Sequence, residues 1–175
     1  DIKIFIFGFI GFVLLIPLIL SFFTPVGASR FSGVGLLSST GPEWRANELR
    51  SQHSNPNNLL TRLLHNRVVT YSLNFMQNYF DHYRGDFLFL NGDVIERSRV
   101  PGMGQMYLFD ILLIASGIVF FIKKRTENSV IVFWWLLIAP VAAALTFQTP
   151  HALRSQNMVI PLTIISACGL VYLYD

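Results

Sequence analysis

The sequence predicts an all-α integral membrane fold: about four transmembrane helices, with a helical extracytoplasmic segment between the first and the second. Three observations predict it. Hydrophobic residues make up 53% of the chain and charged residues only 13%, against about 25% charged in ordinary soluble domains. The mean hydropathy is +0.50. The apolar residues gather into long runs instead of being spread as the core faces of amphipathic elements.

The first run, Ile4 to Phe23, is interrupted only by small residues and Pro17. About 20 apolar residues of helix cross a hydrocarbon core of roughly 30 Å, so residues 1–23 are read as a transmembrane helix. A proline is tolerated there when neighbours satisfy the carbonyl it frees. A signal peptide is a poor account, because no basic cluster precedes the run and it exceeds the roughly 7–15 residues of a signal core.

Residues 24–105 form the extracytoplasmic segment. Thr24 to Gly41 is rich in Gly and Ser and reads as irregular. Pro42 to Gln52 is expected to form a short helix. Asn55 followed by Pro56 reads as a cap and first helical position, opening an amphipathic helix over about 57–83. Leu60, Leu64, Val68, Tyr71, Phe75 and Tyr79 make one stripe at helical spacing; Val69, Leu73, Met76 and Phe80 make a second. A helix apolar on two sides must be covered on two sides, which places it between loops and lipid headgroups. The stretch Phe87 to Leu90 ends in the turn signal Asn91-Gly92-Asp93, and Pro101, Gly102 and Gly104 lead back to the bilayer.

Residues 106–175 hold three further spans with short loops: Met106–Ile122, Val130–Phe147 and Met158–Tyr174. Asp110 lies near the start of the second span. An acid at a helix centre costs roughly 2.5–3.5 kcal/mol, while each Leu, Ile, Phe or Val returns roughly 0.3–0.6 kcal/mol. The run has enough of these residues to carry one acid near its end. Pro140 sits near the middle of the third span, and Tyr172 and Tyr174 suit an interface.

Short positive loops stay cytoplasmic. Lys123, Lys124 and Arg125 join the second and third spans, and Lys3 agrees with a cytoplasmic start. The loop 148–157 and the segment 24–105 then share the opposite, extracytoplasmic face. That segment carries eight arginines, but loops longer than about 60 residues translocate largely regardless of charge.

The formal charge of +3 is too small, and too scattered, to indicate nucleic acid. The single cysteine, Cys168, lies inside an apolar run and reads as a small buried hydrophobe. His82 with Asp81 and Asp86 matches no zinc or calcium spacing, so no metal site and no certain cofactor are assigned. Walker, GxSxG and HExxH patterns are absent from the sequence.

The sharpest local feature is PHALRSQN, Pro150 to Asn157, which places His151 and Arg154 at a membrane boundary. Arginine offers a fixed fork of donors matched to phosphate oxygens. This pair is read as binding a lipid-linked phosphate, with an interfacial Arg meeting headgroups as the alternative. Arg97 and Arg99, with Asp86, Asp93 and Glu96, either line an extracytoplasmic cleft for a polar substrate or form a solvated loop. Asp110 is either a partner of Arg97 or Arg99 in the membrane or a helix N-terminal acid favoured by the dipole; the second reading is preferred.

Three stretches carry a family resemblance. They are NRVVTYSLNFMQNYFDHYRGDFLFLNGD (Asn66–Asp93), RSRVPGMGQMYLFDILLIASGI (Arg97–Ile118) and APVAAALTFQTPHALRSQNMVIPLTIISACG (Ala139–Gly169). In order and spacing they resemble bacterial membrane glycosyltransferases of the dolichyl-phosphate-mannose protein mannosyltransferase type, glycosyltransferase family 39 with the GT-C fold. The elements that carry the match are NYF, DFLFLNGD, PGMGQMYLFD and PHALR with its following apolar span.

The resemblance implies a polytopic enzyme of the bacterial cytoplasmic membrane. It would use a polyprenyl-phosphate-linked sugar as donor and act on the extracytoplasmic face, on a protein or an envelope glycan as acceptor. Membrane lipid and the lipid-linked donor are the implied partners. His151 and Arg154, together with Arg97 and Arg99, are the expected substrate-binding residues. Family members carry an acidic catalytic residue in an earlier extracytoplasmic loop, which no loop here supplies; the chain begins at Asp1 and stops at Asp175 directly after an apolar run, and reads as a carboxy-terminal piece, inactive alone. The catalytic role is not transferred to Asp86 or Asp110. The runner-up is a non-catalytic polytopic protein, a transporter half or an assembly scaffold. A transporter should place ionisable or broken-helix sites at mid-membrane, where Pro140 is the one such feature.

Overall fold

The computed structural model describes residues 2–52, 58–124 and 127–174, and every regular element among them is helical. Helix α1 (Ile2–Phe22) contains Pro17 and buries none of its described side chains against the chain. It bends by 75° into α2 (Pro25–Val34).

Helix α2 corrects the expectation of irregular structure over Thr24–Gly41. Thr24 Oγ1 accepts the Gly27 N–H at 3.2 Å, and Pro25 occupies the first helical position, so the Thr-Pro pair starts a helix in the usual way. The serines that argued against it turn back on their own helix, Ser29 Oγ donating to Val26 O and Ser32 Oγ to Ser29 O.

Helix α3 (Gly41–Ser51) occupies the place where a short helix is expected. The helix read over 57–83 is two helices, α4 (Leu59–Leu64) and α5 (Arg67–Asp81); the expected Asn55-Pro56 start lies outside the described residues. The break falls at Asn66, whose backbone is extended at φ −93° and ψ 166°. Its side chain accepts the Val69 N–H at 2.8 Å and caps α5. An Asn66→Ala change is expected to destabilise the protein by about 1 kcal/mol, the usual worth of an N-cap, read as a lower midpoint in thermal melts.

The second apolar run becomes helical only at Asp110, in α6 (Asp110–Lys123). The carboxylate of Asp110 accepts the Tyr107 N–H at 2.9 Å, which holds the preceding residues in turns. The third run divides into α7 (Glu127–Ile138) and α8 (Val141–Ala144) on either side of buried Pro140. A proline cannot supply the N–H that the carbonyl four residues earlier requires. Here that carbonyl is Leu136 O, and Tyr83 OH donates to it at 2.8 Å. Tyr79 OH donates to Leu137 O at 2.8 Å. Burial, and then the contact with Tyr79, pushes the Tyr83 pKa above the ordinary tyrosine value, so this hydroxyl stays a donor.

Asn78, buried on the same helix, donates to Ala144 O and Thr146 O. Just beyond α8, Thr146 forms a bridge with Gly35, through Leu36 N–H to Leu145 O at 2.8 Å and Phe147 N–H to Val34 O at 3.2 Å. Side chains on α5 thus satisfy much of the broken backbone between α7 and α9 (Val159–Tyr174). Both stripes proposed for this region contain side chains left exposed, Val68 at 72% and Leu73 at 65% among them.

Helices α6 and α9 run side by side in the same direction. Ile114 packs with Val159 and Leu162 in the core at one end, and Lys123 Nζ donates to Tyr172 OH at 2.6 Å at the other. Between these points the backbones touch. A Cβ at Gly117 would run into Ile165 O, and one at Gly169 into Leu113 O. Small residues at such crossings are the means by which apolar helices approach closely. The core at the first end gathers Phe87, Leu88, Met106, Ala152, Met158 and Leu162.

Among the described residues, Gln156–Tyr174 is long and apolar enough to cross a membrane, and the bent pair Phe5–Ser21 with Pro25–Val34 passes the same test if counted together. Ser129–Ala144 is apolar but shorter.

Candidate functional site

The turn between α8 and α9 is built by its own sequence and then clamped from two distant segments. Ser155 closes it locally, its N–H and its hydroxyl both donating to His151 O, at 3.1 and 2.8 Å. Met158 N–H donates to Ser155 O at 2.8 Å, which leads the chain into α9.

The first clamp is Asp93, which is fully buried. It follows Gly92, whose φ of +70° is a conformation that favours glycine; a Cβ there would also meet Met103 O at 2.9 Å. Asp93 Oδ1 accepts the Ile95 N–H at 2.8 Å, and Oδ2 accepts the Ala152 N–H at 2.7 Å. A buried carboxylate is tolerated when N–H donors surround it. The same Oδ2 lies 3.4 Å from His151 Nδ1, a buried ring nitrogen that completes no hydrogen bond among the described residues.

The second clamp is His82, also fully buried, one residue past the end of α5. Its Nδ1 lies 2.7 Å from Asn78 O. A carbonyl can only accept, so Nδ1 carries the hydrogen and Nε2 is left as an acceptor. Nε2 receives the His151 N–H at 3.3 Å. Burial lowers the His82 pKa from its ordinary value of 6.5, against the opposing pull of Asn78 O and the carboxylates of Asp81 and Asp93, with His151 adding to the fall.

The structure places two of the four expected substrate-binding residues, His151 and Arg154, on one turn, and Arg97 acts on the His151 ring through its charge. The His151 ring is buried, and burial first, then the positive charge of Arg154, lower its pKa; Asp93 opposes this and Arg97 adds to it. Arg154 is half-buried and donates through Nη1 to Thr146 Oγ1 at 2.8 Å. Arg97 is exposed. Arg99 faces Glu96, with 3.9 Å between Nη2 and Oε1.

Asp110 has no ion pair with Arg97 or Arg99 among the described residues; its partner is the Tyr107 N–H, as an acid at a helix start would have. Asp86 accepts from Asn91 Nδ2 at 2.5 Å. A cavity of about 830 Å3 opens along α5, walled by Leu37, Arg67, Tyr71, Phe75 and Met76; no residue of the His151 turn lines it, so the clustered side chains, not this cavity, define the site.

Sequence reasoning weighed His82 only against a metal spacing it does not match, and left Asp93 in a loop cluster. Neither role could be read from spacing, since His82 and Asp93 stand 69 and 59 residues from the amides they hold. Comparison with family models, curated proteins and solved structures finds no match to this chain.

Proposed function

We propose that this chain forms the donor-phosphate side of an integral membrane glycosyltransferase, one that moves a sugar from a polyprenyl-phosphate-linked donor to a protein or envelope glycan on the extracytoplasmic face of a bacterial membrane. One observation carries the reading. Arg154 and His151, with the charge of Arg97 acting on the same ring, stand on the turn that leads directly into the membrane-length helix. That turn lies at the opposite end of the α6–α9 pair from Lys123 and Lys124, the arrangement required by a cytoplasmic basic hairpin and an extracytoplasmic site.

About four spans are part of the same proposal. Helix α1 leaves Phe5 at 80% and Leu14 at 73% exposure, surface that hydrocarbon would cover. Helices α6 and α7 are shorter than a full crossing, which a bilayer accommodates by local thinning and by flanking polar residues reaching the interface.

In such a reaction the bond between the anomeric carbon and the phosphate oxygen breaks, and the electron pair departs with the phosphate. Guanidinium groups fixed in advance near that oxygen lower the cost of its charge. Burial and the neighbouring Arg154 favour the neutral His151 ring. An arriving phosphate reverses the balance and favours the imidazolium, adding a positive charge only when the donor is present. The base that takes the acceptor proton is assigned to no residue of this chain.

The helix broken at Pro140 is what a transporter reading would use. Transporters leave such unwound carbonyls open to coordinate their cargo. Here Leu136 O and Leu137 O are taken by Tyr83 and Tyr79, which favours the enzyme. The deciding experiment is Arg154→Ala in the complete protein, assayed for sugar transfer from a polyprenyl-phosphate sugar in cell membranes. A fall of about 10²–10³ is expected, the range seen when one donor to a developing oxyanion is removed. Transfer at the parent rate would remove Arg154 from the site.

A further inference from the structure

We propose that His82 and Asp93 are positioning residues, which set the phosphate-binding geometry of the His151–Arg154 turn by gripping two consecutive backbone amides. The inference rests on the donor-phosphate reading above and assigns the device that shapes the site. His151 N–H donates to His82 Nε2, and the next amide, Ala152 N–H, donates to Asp93 Oδ2. Both holders are fully buried, one at the end of α5 and one in the loop before α6. Neither needs to touch the ligand. Two adjacent amides fixed from separate elements set the orientation of the two peptide planes on either side of the His151 Cα, and with it the direction in which the turn carries Arg154.

The His82 clamp has a chemical weakness. With Nδ1–H committed to Asn78 O, only the neutral ring can accept from His151. A proton on Nε2 would set N–H against N–H and open the clamp. The charged or titratable groups facing His82 are Asp81 from its own helix end, Asp93 from the loop, and His151 from the turn; Arg154 and Arg97 bear on His151 in turn. The lowered His82 pKa keeps the ring neutral near pH 7. In the folded state its pKa lies below the unfolded value of 6.5, so the unfolded chain binds the proton more readily. The clamp's contribution is therefore complete above about pH 6.5 and declines as pH falls through the folded pKa.

The test uses the whole chain in detergent micelles, with farnesyl phosphate as the probe. Binding is measured by calorimetry, and amide hydrogen exchange over residues 149–157 is measured without ligand. Relative to the parent at pH 7.5, His82→Phe should speed exchange in that stretch and weaken binding by about tenfold or more, the range over which outer partners act on the groups they orient. His82→Gln, which can both donate to Asn78 O and accept from His151 N–H, should restore both. As pH is lowered stepwise from 7.5 through the folded pKa of His82, the unaltered protein should lose protection in 149–157, after correction for intrinsic exchange, at a higher pH than His82→Gln does; this arm carries the test if His82→Phe fails to fold. Unchanged protection in His82→Phe, or acid loss of protection that His82→Gln shares at the same pH, overturns the clamp. If the parent binds farnesyl phosphate and His82→Phe binds it equally, the positioning role is overturned while the donor reading stands. No binding by the parent sinks the donor reading and the positioning role with it.

Discussion

Gly169→Leu is expected to destabilise the protein by about 3 kcal/mol or more, the upper part of the overpacking range. In thermal melts of detergent-solubilised protein that corresponds to a midpoint lower by roughly 6–12 °C for a chain of this size. The cause is local and geometric. Any side chain on Gly169 meets Leu113 O, Ser116 Oγ and Gly117 N on α6. These are backbone atoms and a short side chain, which cannot swing aside, so the helices must separate. Gly11 is the internal control, since nothing lies within 4 Å of a Cβ built there, and Gly11→Leu should melt like the parent. Equal midpoints for Gly169→Leu and the parent would mean that α6 and α9 do not meet through this face.

Tyr83→Phe is the second large effect. It leaves Leu136 O without its donor, and an unpaired buried carbonyl costs about 1–3 kcal/mol. The loss should depend on residue 140. With Pro140→Ala in place, an N–H is again available four residues beyond Leu136, and the helix can satisfy that carbonyl itself. The double variant should therefore lose less than the sum of the single changes, by about 0.5–3 kcal/mol, the scale of coupling between residues in one hydrogen-bond network. Chemical unfolding of all four proteins gives the coupling directly. Strict additivity would show that Tyr83 does not serve the carbonyl exposed by the proline.

These two effects show what the sequence made legible. The long apolar runs locate α6, α7 and α9, because uninterrupted hydrophobicity is a strong signal. The ends of those helices are another matter. Asp110 as a helix-starting acid was readable from its position, but the late start of α6 follows from where its carboxylate bonds. The Thr24-Pro25 cap went unread because the Gly and Ser content after it reads as irregular. Asn66 was passed over because the periodicity of its neighbours runs through it unbroken.

Counting Tyr71 and Tyr79 as an apolar stripe described half of what they do. Their rings pack, and their hydroxyls serve carbonyls on other elements, Ser39 O for Tyr71 and Leu137 O for Tyr79. At the candidate site, His151 and Arg154 stood out because a short polar loop between apolar runs holds few residues. Arg97 joined them by charge alone. His82 and Asp93 stayed hidden because their partners are main-chain amides, which every residue carries and no composition records.

Tyr79, Tyr83, Asn78 and His82 lie within a single turn and a half at the end of α5, yet they serve α7, α8 and the turn before α9. All three draw hydrogen bonds from this one helix end, and the turn is held by Asp93 as well. A disturbance that drew this helix end aside would strip all of them at once, so the carboxy-terminal half should come apart as one cooperative body, with residues 136–158 exchanging their amide hydrogens at a common rate.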